Sequence, residues 1–481
     1  MPLRVYDTLS REKRPLRPVR DDRVGVYVCG MTVQGEPHVG HARAAVCGDV
    51  LHRYLAYAGH SVEYLTNFTD VDDKIIARAT EEGVGYREVA ERNIRLFHGM
   101  EEELNLLPAS RYPKATEHIP QILRFIEALV EKGNAYPTPE GDVYFDVRSF
   151  PGYGELSGRS LEEAREGTRV ESETNKRSTA DFALWKRARE GEPAWASPWG
   201  EGRPGWHIEC SAMAMEYLGD TVDVHGGGLD LVFPHHENER AQSEALTGVP
   251  FANHWAENGL VTLGGEKMAK STGNFLTISD LLAKVPGPVV RLYLLQTHYR
   301  SPIDFSIEQV SRAKAAHARL RNFVRAVGEL EEGGEGAAPA EGAEKLRTAL
   351  ASAERAFREA MDDDLNAARA LGGLFDLVRR GNQLLGGAAE QGADDAALLR
   401  ETAALVRSLL DVLGISLEAE SARADEGAGR FVDLLVELRR SAREERNWAM
   451  ADRIRDRLEE LGVALEDGPN GTAWRWMEPV D

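Results

Sequence analysis

Val26-Tyr27-Val28-Cys29-Gly30-Met31-Thr32-Val33-Gln34-Gly35-Glu36-Pro37-His38-Val39-Gly40-His41-Ala42-Arg43 is the stretch from which the fold of this chain is read. Val24, Val26 and Val28 form an apolar run suited to a buried strand. Gly30 and Gly35 break it, and after Pro37 a helical pattern takes over with Arg43, Val46, Val50 and Leu51. Strand, loop and helix N-terminus therefore follow one another. His38 and His41 flank Gly40 where the helix begins, so imidazole donors, unpaired backbone N–H groups and the positive end of the helix dipole are expected to converge on one spot. A polyphosphate is the ligand such a spot attracts.

Outward from this stretch, strand and helix patterns alternate from Val24 to about Leu107. A helix is expected around Ala42 to Tyr57, and Ser61-Val62-Glu63-Tyr64-Leu65 reads as a second strand that ends at Thr66 to Asp70. Such alternation implies a parallel sheet covered by helices, with ligands beyond the C-terminal ends of the strands. From Tyr112 to Gly200 the character changes: a helix near Ile119 to Lys132, a strand at Val143 to Val147, then a polar stretch, together read as an insertion. The sheet resumes at Thr221 to Gly228. Pro234 is placed to open a helix that runs to about Leu246, where Gly248 stops it. In that helix His235 and Glu239 are four residues apart and share a face, so they can chelate.

Length and composition bound the function. The chain has 481 residues, enough for two to four domains. No stretch approaches a membrane span and no signal-peptide core precedes Val24, so a cytoplasmic protein is expected. A formal net charge of -21 argues against indiscriminate nucleic-acid binding, although local basic faces can still hold an RNA backbone. The first twenty residues are basic and read as a solvated arm. Another basic run, Arg312, Lys314, Arg319, Arg321 and Arg325, lies on a helix with the apolar stripe Val310, Ala313, Leu320, Val324 and Val327; it is either a solvated face or an RNA contact. Glu331 to Glu344 and Glu418 to Gly429 read as linkers. Two helices and a hairpin ending in Trp474 and Trp476 follow; these tryptophans are read as core rather than base-stacking platforms.

Downstream, Gly264-Gly265-Glu266-Lys267-Met268-Ala269-Lys270-Ser271 sets two lysines on a glycine-rich loop. With His38-Val39-Gly40-His41 upstream, the pair resembles the HIGH and KMSKS signatures of class I aminoacyl-tRNA synthetases. Cys29, Cys210, His235 and Glu239 together offer thiolate, imidazole and carboxylate, a set suited to zinc. Singly, each has a duller explanation as a core cysteine or a hydrogen-bonded surface pair. Three cysteines, with Cys47 on the apolar side of the first helix, are too few and scattered for a disulfide framework.

Further stretches resemble one family closely, the cysteinyl-tRNA synthetases: Tyr27 to Gly30, Asn67 to Ile76, Pro204 to Ser211, His225 to Asp230, Phe233 to Glu239, Met361 to Asn366 and Trp448 to Asp456. The resemblance implies one Zn2+ per chain on Cys29, Cys210, His235 and Glu239. It places the cysteine substrate against Cys29, Gly30, Thr69, Trp206, His225 and Asp230, and ATP with Mg2+ against His38, Gly40, His41, Lys267 and Lys270. His38, His41, Lys267 and Lys270 are the expected catalytic residues.

The fold class it implies is α/β: a Rossmann-type parallel sheet with an inserted connective domain, then a helical bundle and a small α+β C-terminal anticodon-binding unit. The expected divisions are 1–111 and 201–262 for the two halves of the catalytic domain, 112–200 for the insertion and 263–308 for the stem-contact region with the lysine loop. Residues 309–417 form the helical tRNA-binding domain and 430–481 the terminal unit. Partners are tRNA(Cys), L-cysteine and ATP, with no membrane, and the chain is expected to be a monomer.

Zinc chemistry fits this without help from the family, because a substrate thiolate binds zinc where serine's harder, less acidic hydroxyl cannot. A site that selects by bond type needs no editing domain, in keeping with the short insertion. Two departures stand out: Val39 replaces the isoleucine of HIGH, and Ala269 the first serine of KMSKS. Activity is expected to survive both. Three other readings compete. A ligase passing the adenylate to an amino sugar, as in mycothiol biosynthesis, would share the site but not the terminal unit; a retired tRNA-binding or cysteine-sensing protein would not need both histidines and both lysines. Lys74-Ile75-Ile76-Ala77-Arg78 resembles a motif tied to pyridoxal phosphate and persulfide formation, against which a buried or ion-paired lysine is the simpler expectation.

Overall fold

Val24 to Thr32 alternates between two cores. In a computed structural model describing residues 2–160, 163, 175–263, 266–267, 276–330, 342–386, 392–418, 432–443, 447–461, 463–468 and 471–476, Val24, Val26 and Val28 enter one cluster while Tyr27 and Cys29 enter another. A strand covered on both faces belongs at the centre of a parallel sheet. It is one of four parallel strands, ordered Ala252–Asn258, Val222–Gly228, Val24–Thr32 and Val62–Thr69. Their C-terminal ends bring Cys29, Gly30, Thr69, Gly228 and Asn258 to one edge. The helix Val39–Tyr57 opens directly beyond that edge.

The insertion carries its own antiparallel sheet, Ala135–Pro137, Val143–Phe145, Phe182–Arg187 and Gly202–Pro204 in sequential order, on a core shared with the helix Ile119–Glu131. After Asn258 the strand Val261–Leu263 pairs in parallel with Ile303–Phe305 and antiparallel with Glu266–Lys267. Helices Gly287–Leu295, Ile307–Gly328, Ala343–Asp362, Ala367–Gly386 and Ala393–Val412 follow. In Ile307–Gly328 the expected stripe is buried and all five basic residues are exposed. Among the described residues no helix is long and apolar enough to cross a membrane.

The chain divides into two compact units, Met1–Leu417 and Glu418–Asp481. Within the second, helical residues 432–443, the helix Trp448–Glu460 and the hairpin Val463–Gly468 with Gly471–Trp476 surround a small core of Val432, Leu458 and Val463. Trp474 packs against that core and its indole N–H donates to Asp433 (2.7 Å), while the side chain of Trp476 lies outside the described residues.

One expectation needs correction. The basic N-terminus is no solvated arm: Arg4–Asp7 and Glu12–Pro15 form a hairpin whose Asp7 docks on the sheet edge. Asp7 is 1 % exposed. Its carboxylate accepts from Trp255 N (3.0 Å), Ser10 N (3.0 Å) and Arg14 Nη1 (2.9 Å). The anchor is thus one acidic residue among many basic ones. Pro234 opens the next helical stretch as expected: Phe233 before it is extended (φ -134°, ψ 130°), as the residue preceding proline prefers, and the backbone is helical from there through His236 into Glu237–Thr247.

Burial opposes charge on Asp7, but the Trp255 and Ser10 amides and Arg14 outweigh it and hold the carboxyl below its ordinary value. Asp7→Ala is therefore expected to lower stability by about 2–3 kcal/mol near neutral pH, read from the urea midpoint. Because the folded pKa is depressed, this contribution is present above the ordinary carboxylate value and fades as pH falls through the depressed one. The gap between wild type and Asp7→Ala should close in acid.

Candidate active site

His38 is the N-cap of Val39–Tyr57, and its ring does the work usually given to serine or aspartate. His38 Nδ1 accepts from Gly40 N (3.0 Å) and His41 N (3.3 Å), while His41 Nδ1 accepts from His38 N (3.1 Å). The two rings stack at 3.8 Å. This is a capping box built from two imidazoles. It corrects the expectation of unpaired backbone N–H groups, since the ring nitrogens satisfy those of residues 38, 40 and 41. Accepting at Nδ1 assigns the neutral rings' proton to Nε2, which places two Nε2–H donors side by side at the helix N-terminus.

The lysine loop is anchored beside them. Leu260 and Val261 line the cleft that contains His38 and His41, and the chain returns at Thr277, which bridges to His38, with Ile278 N donating to Pro37 O (3.0 Å). Lys267 is described only through its backbone, paired with Thr262. Its side chain and Gly264, Gly265, Met268, Ala269, Lys270 and Ser271 lie outside the described residues.

At the other end of the cleft, Cys29, Cys210, His235 and Glu239 come together, with one ligand atom from each within 4.8 Å of the others. The Val24–Thr32 strand supplies Cys29, the helix Trp206–Leu218 Cys210, the helical turn Val232–His236 His235, and the helix Glu237–Thr247 that continues it Glu239. All four are at least nine-tenths buried. Cys29 Sγ lies 3.3 Å from Glu239 Oε1, which is 3.0 Å from His235 Nε2. A second set, Cys29, His225, His236 and Glu239, meets the same distance condition.

The cluster is strongly polarised. Hydrogen bonding from Cys29 pulls the Cys210 thiol down to about 6 against the effect of burial, and His235 adds to it. Burial, then Cys210, pushes the Cys29 thiol well above its usual range. Burial opposes charge on His235, yet Glu239 and Cys210 raise it to about 10. Glu239 itself is held well below the carboxylate range, its burial overcome by His225 and His235. Two buried anions around one imidazolium proton make a centre where a divalent cation fits by displacing that proton.

Of the remaining expected residues, Gly30, Trp206 and Asp230 line the cleft with Cys29 and Gly40. Thr69 and His225 stand behind its wall. Thr69 Oγ1 donates to the buried Glu209 (2.9 Å), and His225 lies stacked on Tyr27 with Nε2 3.3 Å from Glu239. Gly30 admits no side chain, because a Cβ there would lie 1.7 Å from Asn67 O. Lys74 is exposed and lines the cleft, neither buried nor in any ion pair among the described residues, contrary to expectation.

Three residues escaped the sequence reading. Asn67 Oδ1 accepts from Gly30 N (2.9 Å) and faces Cys210 Sγ (3.6 Å), fixing the backbone beside the cluster. His207 shares a hydrogen bond with His235 Nδ1 (3.0 Å), which orients that ring. Glu257 holds His236 Nδ1 (2.9 Å). Asn67 and His207 lie inside motif stretches quoted above, where no role was given to them, and Glu257 lies in none.

Residues 15–315 match a family model described as the tRNA synthetases class I (C) catalytic domain, 356–418 a DALR domain, and 432–475 a cysteinyl-tRNA ligase anticodon binding domain. The cysteine–tRNA ligase of Heliobacterium modesticaldum is 50% identical over 480 residues, covering 99% of this chain and 100% of that protein. That of Geobacter metallireducens is 48% identical over 486 residues, with 99% and 100% coverage. Among solved structures, Mycobacterium tuberculosis methionyl-tRNA synthetase in complex with methionyl-adenylate shares the fold, with a TM-score of 0.62 and 17% identity over 86% of this chain and 94% of that one.

Proposed function

The chain belongs to the class I cysteine–tRNA ligase family, and we propose that it activates L-cysteine with ATP, releasing pyrophosphate, and transfers cysteine to the 3′ end of tRNA(Cys), with zinc selecting the substrate thiolate. The observation that carries this reading is the single cleft of about 300 Å³ that joins the Cys29 end to the His38 and His41 end. One substrate can span both. Cys29, Cys210, His235 and Glu239 are the favoured ligands, because two sulfurs suit zinc better than the one sulfur of the alternative set, where His236 is already engaged by Glu257. When bound, zinc supplies a Lewis-acid position that prefers a thiolate to a hydroxyl.

The chain's own groups do the rest. Trp206, stacked on His235 at 4.3 Å, walls the amino-acid end, and Asp230 on the same cleft supplies a carboxylate for the substrate ammonium. The cysteine carboxylate is already ionised and attacks the α-phosphorus without a protein nucleophile. Charge then accumulates on the leaving pyrophosphate, with its Mg2+, where the two Nε2–H groups and the helix N-terminus face it. Lys267 and Lys270 join them from a segment whose return, at Thr277 and Ile278, is fixed beside His38 and Pro37. The ribose hydroxyl at the tRNA 3′ end then attacks the adenylate carbonyl and expels AMP.

Arg312, Lys314, Arg319, Arg321 and Arg325, exposed along one helix, are the proposed contacts to the tRNA backbone, and residues 432–475 the contact to its anticodon. The reading is of a monomeric, cytoplasmic enzyme with both ends of the cleft built from one chain. Transfer of labelled cysteine to a tRNA(Cys) transcript, with an amino-sugar acceptor in parallel, tests it. Labelling of the sugar alone would overturn it. His41→Asn is expected to slow pyrophosphate exchange by about 10²–10³-fold with little change in zinc content, as loss of one preorganised donor does.

A further inference from the structure

Tyr27 and Cys29 share one face of the strand Val24–Thr32, and both enter the core that contains Cys210. Tyr27 is fully buried. Its ring stacks on His225 at 5.3 Å with the planes 6° apart, held there by the register that pairs the two residues on neighbouring strands. The hydroxyl at the end of that ring meets no hydrogen-bond partner at close range. The ionisable groups it faces are Cys210, Cys29 and Glu239, with Cys210 foremost. Buried hydroxyls are normally satisfied, and this one lies unsatisfied beside three of the four proposed ligands.

A bound cation changes what surrounds Cys210. Without one, the Cys210 sulfur takes hydrogen bonds from Cys29 and His235. Both of these become ligands once a cation is bound and can no longer donate. Asn67 Oδ1, 3.6 Å from the same sulfur, accepts from Gly30 N and has no proton to offer. Cys29 and Glu239 keep a donor within reach, His225 Nε2, at 3.5 Å and 3.3 Å. Cys210 keeps Tyr27. A donor is needed there, because Cys29, Cys210 and Glu239 bring three negative charges to a divalent cation and a substrate thiolate adds a fourth, all in a buried pocket.

Resting on the ligand set Cys29, Cys210, His235 and Glu239 of the proposed function, we propose that Tyr27 is a positioning residue of the metal centre. Its hydroxyl donates to the Cys210 sulfur in the loaded centre, draws negative charge from it, and so strengthens the hold on a substrate thiolate. Hydrogen bonds that reach a metal's ligands from behind orient them and tune the metal in this way.

Tyr27→Phe in the full chain is the test, since it removes one oxygen and keeps the stacked ring. Competition with a chromogenic chelator is expected to show zinc held about 10–100-fold less tightly than in wild type. In pyrophosphate exchange the KM for cysteine should rise about tenfold with kcat little changed, because the thiolate is held alike in ground and transition states. With Co2+ loaded in place of zinc, the sulfur-to-metal charge-transfer band should move to lower energy, as it does when a thiolate loses a hydrogen bond. A merely structural tyrosine gives the opposite pattern, a lower urea midpoint for the metal-free chain and an unchanged zinc affinity. The metal-free midpoint of Tyr27→Phe should instead equal or exceed that of wild type, because the lost hydroxyl has no close partner there. Unchanged zinc affinity, or a loss of zinc affinity no larger than the loss of metal-free stability, would overturn the role of Tyr27 alone. Wild type that holds no zinc, or Cys210→Ser that keeps it, would overturn the ligand set and Tyr27 with it, so the two failures are told apart.

Discussion

A Cys210→Ser enzyme is expected to lose its zinc and at least about 10³ of its cysteine-dependent pyrophosphate exchange. Removing a group that merely supports a ligand costs roughly 10–100-fold in metal affinity or activity. Cys210 is placed as a ligand, and its thiol is the one the cluster already favours as thiolate, pulled down to about 6 by Cys29 and His235. Serine keeps the shape but not the soft, ionised donor. The same replacement decides between the two candidate sets, since Cys210 belongs to one and His236 to the other. If metal analysis finds about one zinc per chain in Cys210→Ser and little in His236→Gln, the ligand assignment fails and the alternative set holds the metal. Where the assignment holds, whatever exchange survives should discriminate cysteine from serine far less sharply than wild type, because the remaining pocket separates them only by shape.

What the sequence made legible was whatever depends on a short, contiguous stretch. The strand-loop-helix at Val24 to Tyr57 could be read because apolar spacing, glycines and Pro37 all point the same way, and the parallel sheet followed from alternation between Val24 and Leu107. Cys29, Cys210, His235 and Glu239 come from three separate segments, so only the resemblance, not spacing, could join them before the structure did. The reciprocal capping of His38 and His41 was hidden for a different reason: histidine is read as a ligand or a base, seldom as a helix cap. The basic N-terminus misled because composition averages over residues and hides a single buried acid such as Asp7. Met361 to Asn366 was visible as a motif but its job was not. Asp362 accepts from Tyr54 Oη (2.7 Å), Asp363 pairs with Lys13 (2.7 Å), and Asp364 accepts from Tyr6 N (2.8 Å), Tyr299 Oη (2.8 Å) and Arg300 Nε (2.7 Å). Three consecutive aspartates thus tie the helical region to the nucleotide helix, the N-terminal hairpin and the segment that follows Gly287–Leu295.

The largest stability loss is expected from Arg291→Met. Arg291 is fully buried and pairs with Asp49, which is 3% exposed. The same guanidinium donates to Leu413 O (2.7 Å), Leu104 O (3.0 Å) and Asn105 O (3.4 Å). Gly414 is glycine in part because a Cβ there would lie 2.4 Å from the guanidinium, and its φ of +66° favours glycine as well. Methionine fills much of the space but leaves those carbonyls without their donor and removes one of the two cations beside Asp49. Breaking a buried pair from one side costs about 3–5 kcal/mol, well above the cost of the Asp7 replacement. Asp49 is not left wholly uncompensated, since Arg53 Nε (2.8 Å) and Leu107 N (2.7 Å) still reach it, so the lower half of that range is the better expectation. A double replacement, Asp49→Asn with Arg291→Met, should cost less than the two single losses added together, because the charge that each single variant strands is then absent. Additive urea midpoints would mean that the pair acts as two independent hydrogen-bonding groups rather than as one buried ion pair. Because Asp49 sits on the helix that begins at His38, the coupled loss would also loosen the element that positions both nucleotide histidines. Pyrophosphate exchange in Arg291→Met should then fall even at temperatures where the protein remains folded.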